Sequence, residues 1–296
     1  MNSEVVNFSN GLIDQLCEIG KLRTAERYAV TLNSFKRFLG EKEVFLENVD
    51  STLMMGYEVY LKNVGVCPNT SSFYMRNLRA MYNRAVEQGL TEQRFPFKHV
   101  YTGVEKTVKR AVSIEVIRSL RSLDFSSYPV LDWARDMFLF SFYTRGMSFI
   151  DMAFLKKRDL KNGLLDYRRQ KTGQRLFVKW EKPMQDIVDK YDTTGSLFLL
   201  PIIKDNGVAE RRQYINSVHL LNRKLKKVGN LIGWPIPLTS YVARHAWASI
   251  ARSKNVPIGT ISEAMGHDSE NTTRIYLASL DAAIIDHANS IILNSL

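Results

Sequence analysis

A mainly α fold with one small antiparallel β-sheet is what this sequence predicts, and three observations predict it. Apolar residues recur at three- and four-residue steps through most of the chain. One segment, LLDYRRQKTGQRLFVKW, reads instead as two short strands about a turn. Only 8 prolines and 16 glycines interrupt 296 residues. That length allows two domains, each able to bury its own core.

A first helix is expected from Ser9 to Gly20, where Leu12, Ile13, Leu16 and Cys17 form an apolar stripe. A second starts near Thr24, carries Tyr28, Leu32, Phe35 and Leu39, and stops at Gly40. A third covers Ser51 to Asn63, and a fourth runs from Asn69 to Gln88 with Gly89 as its stop. Four helices with short connections make a bundle over residues 1–100. The fourth carries Arg76, Arg79 and Arg84 beside Phe73, Tyr74, Leu78 and Tyr82. Two readings of it stand side by side: a solvated charged face, or a helix laid along a DNA groove.

Between Phe95 and Ser113 the periodicity breaks. Pro96, Gly103 and the basic Lys98, Lys106, Lys109 and Arg110 predict an exposed linker at 101–112, either a plain tether or a segment that follows a phosphate backbone.

The second domain, 113–296, opens with Ser113 as a helix cap, followed by the apolar run Val130 to Tyr143. Leu164, Leu165 and Tyr167 lead into the hairpin, Leu176, Phe177, Val178 and Trp180 leave it, and its turn presents Lys171. Helices are expected at 184–191 and 213–228. In PIPLTSYVARHAWASIARSK, Pro237, Thr239 and Ser240 start a helix that sets Tyr241, Arg244 and Ala248 on one face. Pro257 and Gly266 bracket a short helix, Ser269 caps the next, which carries Tyr276, and the tail from Asp281 to Leu296 is amphipathic.

The formal charge is +11, with 15 Lys and Arg against 12 Asp and Glu in residues 1–110 and 26 against 18 in 111–296. A polyanionic partner accounts for this most economically. Cys17 and Cys67 are the only cysteines, which suits a reducing cytoplasm and excludes a cysteine-rich zinc cluster. No segment is apolar enough for a membrane span, and MNSEVVNFSN lacks the pattern of a secretion signal, so a cytoplasmic location is expected. Phosphate-binding glycine loops, a G-x-S-x-G elbow and H-E-x-x-H are absent. His99, His219, His245, His267 and His287 show no ligand spacing with cysteine, and neither metal nor cofactor is implied.

What remains is a set of cations in the second domain: Arg145, Lys171, Arg244 and His267, followed by Tyr276. A phosphodiester under attack carries charge on its non-bridging oxygens, which bidentate guanidinium groups match. Neighbouring cations also favour the phenolate of a tyrosine, which as a neutral phenol is a poor nucleophile.

With TSYVARHAWAS, then MGH, then Tyr276, and the hairpin KTG between the two arginines, the chain resembles the tyrosine recombinases of the phage integrase family. The resemblance implies a SAM-like core-binding bundle followed by an α+β catalytic domain. It implies that Tyr276 attacks the scissile phosphate, Arg244 grips it, His267 donates to it, and Lys171 protonates the leaving 5′-oxygen. Two positions depart from the family pattern. Tyr241 stands where the family has histidine, and in RGMSFIDMAFL Ser148 holds the first-arginine position relative to Asp151. Arg145, one helical turn earlier, is assigned to that role, with Arg168 and Arg169 as the alternatives. RGMSF and SYVARH resemble signatures of bacterial invertases and mobile-element integrases.

The implied partner is double-stranded DNA with inverted-repeat core sites. The bundle would lie on one DNA face and the catalytic domain on the other, and a homotetramer would form on two sites through exchange of the C-terminal helix. DNA inversion, excision or integration would follow, with no cofactor. The bundle begins close to the first residue, so a simple enzyme without an arm-binding domain is expected. A type IB topoisomerase-like relaxing enzyme and a non-catalytic DNA-binding protein are the alternative functions.

Overall fold

Each helix forms where the sequence leaves one face apolar and supplies a stop. The computed structural model describes residues 4–105, 112–267, 269–277 and 293, with backbone alone at 275 and 276. The chain divides into two units, 1–107 and 108–296.

In the first unit lie α1 (Val5–Glu18), α2 (Leu22–Leu39), α3 (Ser51–Asn63) and α4 (Pro68–Glu87). The helix α3 has the expected ends, because Asp50 accepts the Leu53 N–H at 2.8 Å and fixes its start. Gly40 stops α2 with φ +61°. The first helix starts four residues before Ser9: buried Val5 donates its N–H to Val44 O at 2.9 Å, a tertiary tether that local periodicity does not reveal. Leu32, Phe35, Met54, Tyr57, Leu61, Met75 and Met81 fill the core, and the buried Tyr57 hydroxyl is satisfied by Ser34 Oγ at 2.8 Å. Arg76, Arg79 and Asn83 follow one another at three- and four-residue steps along α4, and all are exposed.

The start of the expected linker is tied to the bundle. Asn69 Nδ2 donates to Glu105 O at 3.1 Å while its Oδ1 accepts the Glu105 N–H at 2.8 Å, and Ser72 Oγ donates to Gly103 O at 2.5 Å. Lys106, Lys109 and Arg110 lie outside the described residues.

The second unit holds α5 (Ile114–Ser122), α6 (Pro129–Tyr143), α7 (Phe149–Ala153), β1 (Leu160–Lys161), β2 (Leu164–Arg168), β3 (Arg175–Lys179), α8 (Lys182–Asp189), α9 (Glu210–Leu231), α10 (Ser240–Ser253), α11 (Ile258–Met265) and α12 (Glu270–Leu277). The three strands form one antiparallel sheet in the order β1-β2-β3, with Leu165 opposite Val178 and Tyr167 opposite Leu176. Leu165, Tyr167 and Val178 turn inward into the core that also holds Met137 and Phe140 of α6, Leu225 of α9 and Ala246 of α10. Strand β1 has two residues, too few to show alternation, so the sequence reveals only the other two strands. A smaller cluster, Ala248, Ile261, Met265 and Leu277, holds α10, α11 and α12 together. The tail from residue 278 lies outside the described residues except at Leu293. Among the described residues no helix is long and apolar enough to cross a membrane.

Candidate active site

Three distant segments meet at Arg244. Its side chain, on α10, is only 5% exposed. Nη1 donates to Gly146 O at 2.7 Å, Nη2 donates to Met265 O at 2.6 Å, and Nη2 lies 3.1 Å from His267 Nε2. Two carbonyls from different segments thus set the plane of a group whose use depends on that plane. Gly146 makes the approach possible: at φ +75°, a Cβ there would lie 2.8 Å from Arg244 Cα.

His267 follows Gly266, which ends α11 in the left-handed conformation at φ +64°. A guanidinium only donates, so His267 Nε2 accepts from Arg244, and the ring proton sits on Nδ1, 2.7 Å from Thr273 Oγ1. Thr273 is fully buried on α12, and Tyr276 stands in the same helix one turn further on. The Tyr276 side chain is outside the described residues.

The hairpin joins the cluster through Arg169, just beyond β2. Arg169 is buried, its Nη1 donates to Gly266 O, and its Nε lies 3.9 Å from Asp151 Oδ2. A Cβ on Gly266 would fall 2.9 Å from Arg169 Cδ and 3.0 Å from Leu176 Cδ1, so glycine here lets the hairpin pack close. Asp151 is itself buried on α7. Its Oδ1 accepts the Gln170 N–H at 2.7 Å and its Oδ2 accepts the Ser148 hydroxyl at 2.6 Å. Ser148 caps α7, while Arg169 brings a guanidinium to the carboxylate from the hairpin side. Lys171 is the residue after Gln170, exposed in the turn that this bond anchors.

Arg145 precedes Gly146 at φ +62° and sends Nη1 to Phe177 O on β3 at 3.2 Å. Arg168, the other alternative, is exposed and donates to Gly173 O at 3.2 Å. Tyr241, 54% exposed at the start of α10, sets its ring edge-on to His245 with centroids 4.7 Å apart. Tyr167 lies beneath the hairpin: burial, and next the Asp151 carboxylate, push its phenol above the usual tyrosine range, so it stays protonated. Described contacts therefore join Arg244, the Gly266–His267 segment and Arg169, with Lys171 two residues beyond Arg169; Arg145 faces β3, and Arg76 and Arg79 belong to the first unit.

The sequence reading did not single out Thr273 or Gly146, used Gly266 only as a helix end, and used Asp151 only as a spacing marker. Gly266 before His267 was the one available signal, since a left-handed helix end favours glycine.

Residues 4–100 match the family model of the phage integrase SAM-like domain. Tyrosine recombinase XerC of Syntrophus aciditrophicus (strain SB) is 24% identical over 276 residues, covering 86% of this chain and 86% of its own. The chain is similar to tyrosine recombinases over most of its length, and its residues 4–100 to the phage integrase SAM-like domain. In fold the chain is similar to lambda integrase (75-356), crystallised as a dimer bound to a COC′ core site, with a TM-score of 0.70 and 15% identity, over 93% of this chain and 95% of that one. It is similar also to XerH site-specific recombinase in a post-cleavage complex with a palindromic difH substrate, with a TM-score of 0.69 and 18% identity, over 94% of this chain and 83% of that one.

Proposed function

We propose that this protein is a tyrosine recombinase, which cleaves and rejoins DNA at specific sites through a covalent bond between Tyr276 and a 3′-phosphate. The Tyr276 oxygen bonds to phosphorus as its proton passes to water. The bond from phosphorus to the 5′-oxygen breaks, and Lys171 gives that oxygen a proton. The bond energy stays in the phosphotyrosyl link, so a different 5′-hydroxyl attacks it and reseals the strand without ATP.

Arg244 stabilises the charge on the non-bridging oxygens, and His267, whose Nε2 accepts from Arg244, orients that guanidinium rather than donating to the phosphate itself. The contact between Arg244 and His267, with the guanidinium buried and oriented by two carbonyls, is the observation that carries this reading. Arg169 takes the place of the family's first arginine: with Arg244 it is a buried arginine among the described residues of the site, and it faces Asp151, whose normal partner position is occupied by Ser148. Arg145 then holds the hairpin through Phe177 O. Tyr241 donates a hydrogen bond to the phosphate in place of histidine. The bundle places Arg76 and Arg79 on DNA, with Lys106, Lys109 and Arg110 continuing that contact.

Two protomers bind an inverted-repeat site in the cytoplasm, and two such sites assemble into a tetramer through exchange of the C-terminal tail. The RGMSF and SYVARH signatures favour inversion or mobile-element integration as the outcome. The test is a nicked duplex carrying the core site selected by the protein, from which the cleaved fragment diffuses away. Wild-type protein is expected to accumulate as a covalent adduct and Tyr276→Phe to form none; an adduct in Tyr276→Phe overturns the assignment.

A further inference from the structure

The sequence FPF at residues 95–97 is divided between inside and outside. Pro96 and Phe97 are buried, with Phe97 edge-on to Tyr82 at 6.2 Å between ring centroids, whereas Phe95 is 67% exposed. Phe95 also has φ +48°. A bulky side chain rarely adopts that conformation, and a residue before proline is driven toward extended backbone, so position 95 is strained twice over. The turn is nevertheless well tied: the Phe95 N–H donates to Gln93 Oε1 at 2.9 Å, Lys98 N–H donates to Phe95 O at 3.1 Å, and the Arg94 N–H meets the Tyr82 hydroxyl at 3.2 Å.

The exposed ring stands on the rim of an open cleft of about 310 Å³, lined by Arg79, Asn83, Gln93 and Lys98. Arg79 and Asn83 extend the exposed row that begins with Arg76 on α4. An aromatic ring among cations and amides matches duplex DNA, which offers phosphates to the charges, base edges to the amides and an apolar base-step or thymine methyl to the ring.

We propose that Phe95 is a DNA-contacting wedge: it presses on the bases of a groove while Arg79 and Lys98 hold the flanking phosphates, and the turn keeps its strain because the ring must point outward. This rests on DNA being the substrate, as proposed above.

The experiment uses the full chain and a fluorescein-labelled duplex of mixed sequence, titrated at several salt concentrations, with thermal unfolding of each variant in parallel. Glycine tolerates a positive φ, so Phe95→Gly is expected to raise the melting temperature while weakening DNA binding by roughly tenfold, with the salt dependence unchanged. Arg79→Gln and Lys98→Gln are each expected to reduce the slope of log K against log salt by about one, without the gain in melting temperature. Phe95→Gly with unaltered DNA affinity overturns the wedge and leaves the recombinase reading standing. A lowered melting temperature in Phe95→Gly also overturns it, because the ring would then be packing within the chain. Failure of the wild-type protein to bind the duplex sinks both.

Discussion

His267 Nε2 lies 3.1 Å from Arg244 Nη2, and the opposite ring nitrogen lies 2.7 Å from the buried hydroxyl of Thr273. The histidine is therefore held from both sides, and its tautomer follows from the fact that arginine only donates. Thr273→Val removes the hydroxyl while keeping the shape of the side chain. Cleavage of a nicked core-site duplex is expected to slow by about tenfold, since only the orientation of the imidazole is lost. An unchanged single-turnover rate would show that Thr273 has no part in placing the ring.

Arg244→Lys keeps the charge and loses the planar fork. One of the two carbonyls, Gly146 O or Met265 O, is left without its donor, which costs about 1–3 kcal/mol of stability. The cleavage rate is expected to fall by about 10²-fold or more, the usual loss when an oriented donor to a developing oxyanion is removed. Unfolding in denaturant and adduct formation measure the two effects separately.

Gly146→Ala combines an unfavourable φ with a Cβ at 2.8 Å from the Arg244 backbone. Gly163 provides the comparison, because it has φ +72° and nothing within 4 Å of an added Cβ. Gly163→Ala is expected to cost about 1 kcal/mol, as strain alone. Gly146→Ala should cost clearly more and also impair cleavage by displacing Arg244. Equal melting temperatures for the two variants would mean that the close approach is not needed.

Lys171 is assigned as the acid for the leaving oxygen, so its loss should matter only when that oxygen needs a proton. Lys171→Ala is expected to cleave an ordinary core site about 10²-fold more slowly, in the range typical of general acids. A duplex whose scissile 5′-oxygen is replaced by sulfur should restore most of the rate, because a thiolate leaves unprotonated. Equal slowing on both substrates would remove Lys171 from that role.

The helices were legible because their signals are local. Leu32, Phe35 and Leu39 mark a buried stripe, and Gly40 marks a stop, within one short window. Arg244 and His267 stood out for a different reason: they belong to motifs whose residue types suit a phosphate, and their side chains meet in the fold. What joins them was not legible. Arg169 Nη1 to Gly266 O and Arg244 Nη1 to Gly146 O each span close to a hundred residues, and no periodicity encodes a contact at that distance. Ser148 illustrates the same limit. Its spacing from Asp151 was visible, but that it caps α7 and bonds the carboxylate, with Arg169 coming from the hairpin, appears only in three dimensions.

The most direct measurement of the central claim is the mass of the peptide that retains nucleotide after the trapped adduct is digested with protease and nuclease. A 3′-phosphonucleotide on the peptide containing Tyr276, with fragment ions placing it on the tyrosine oxygen, is the result expected. Nucleotide attached to any other residue, or joined through a 5′-phosphate, would contradict the account.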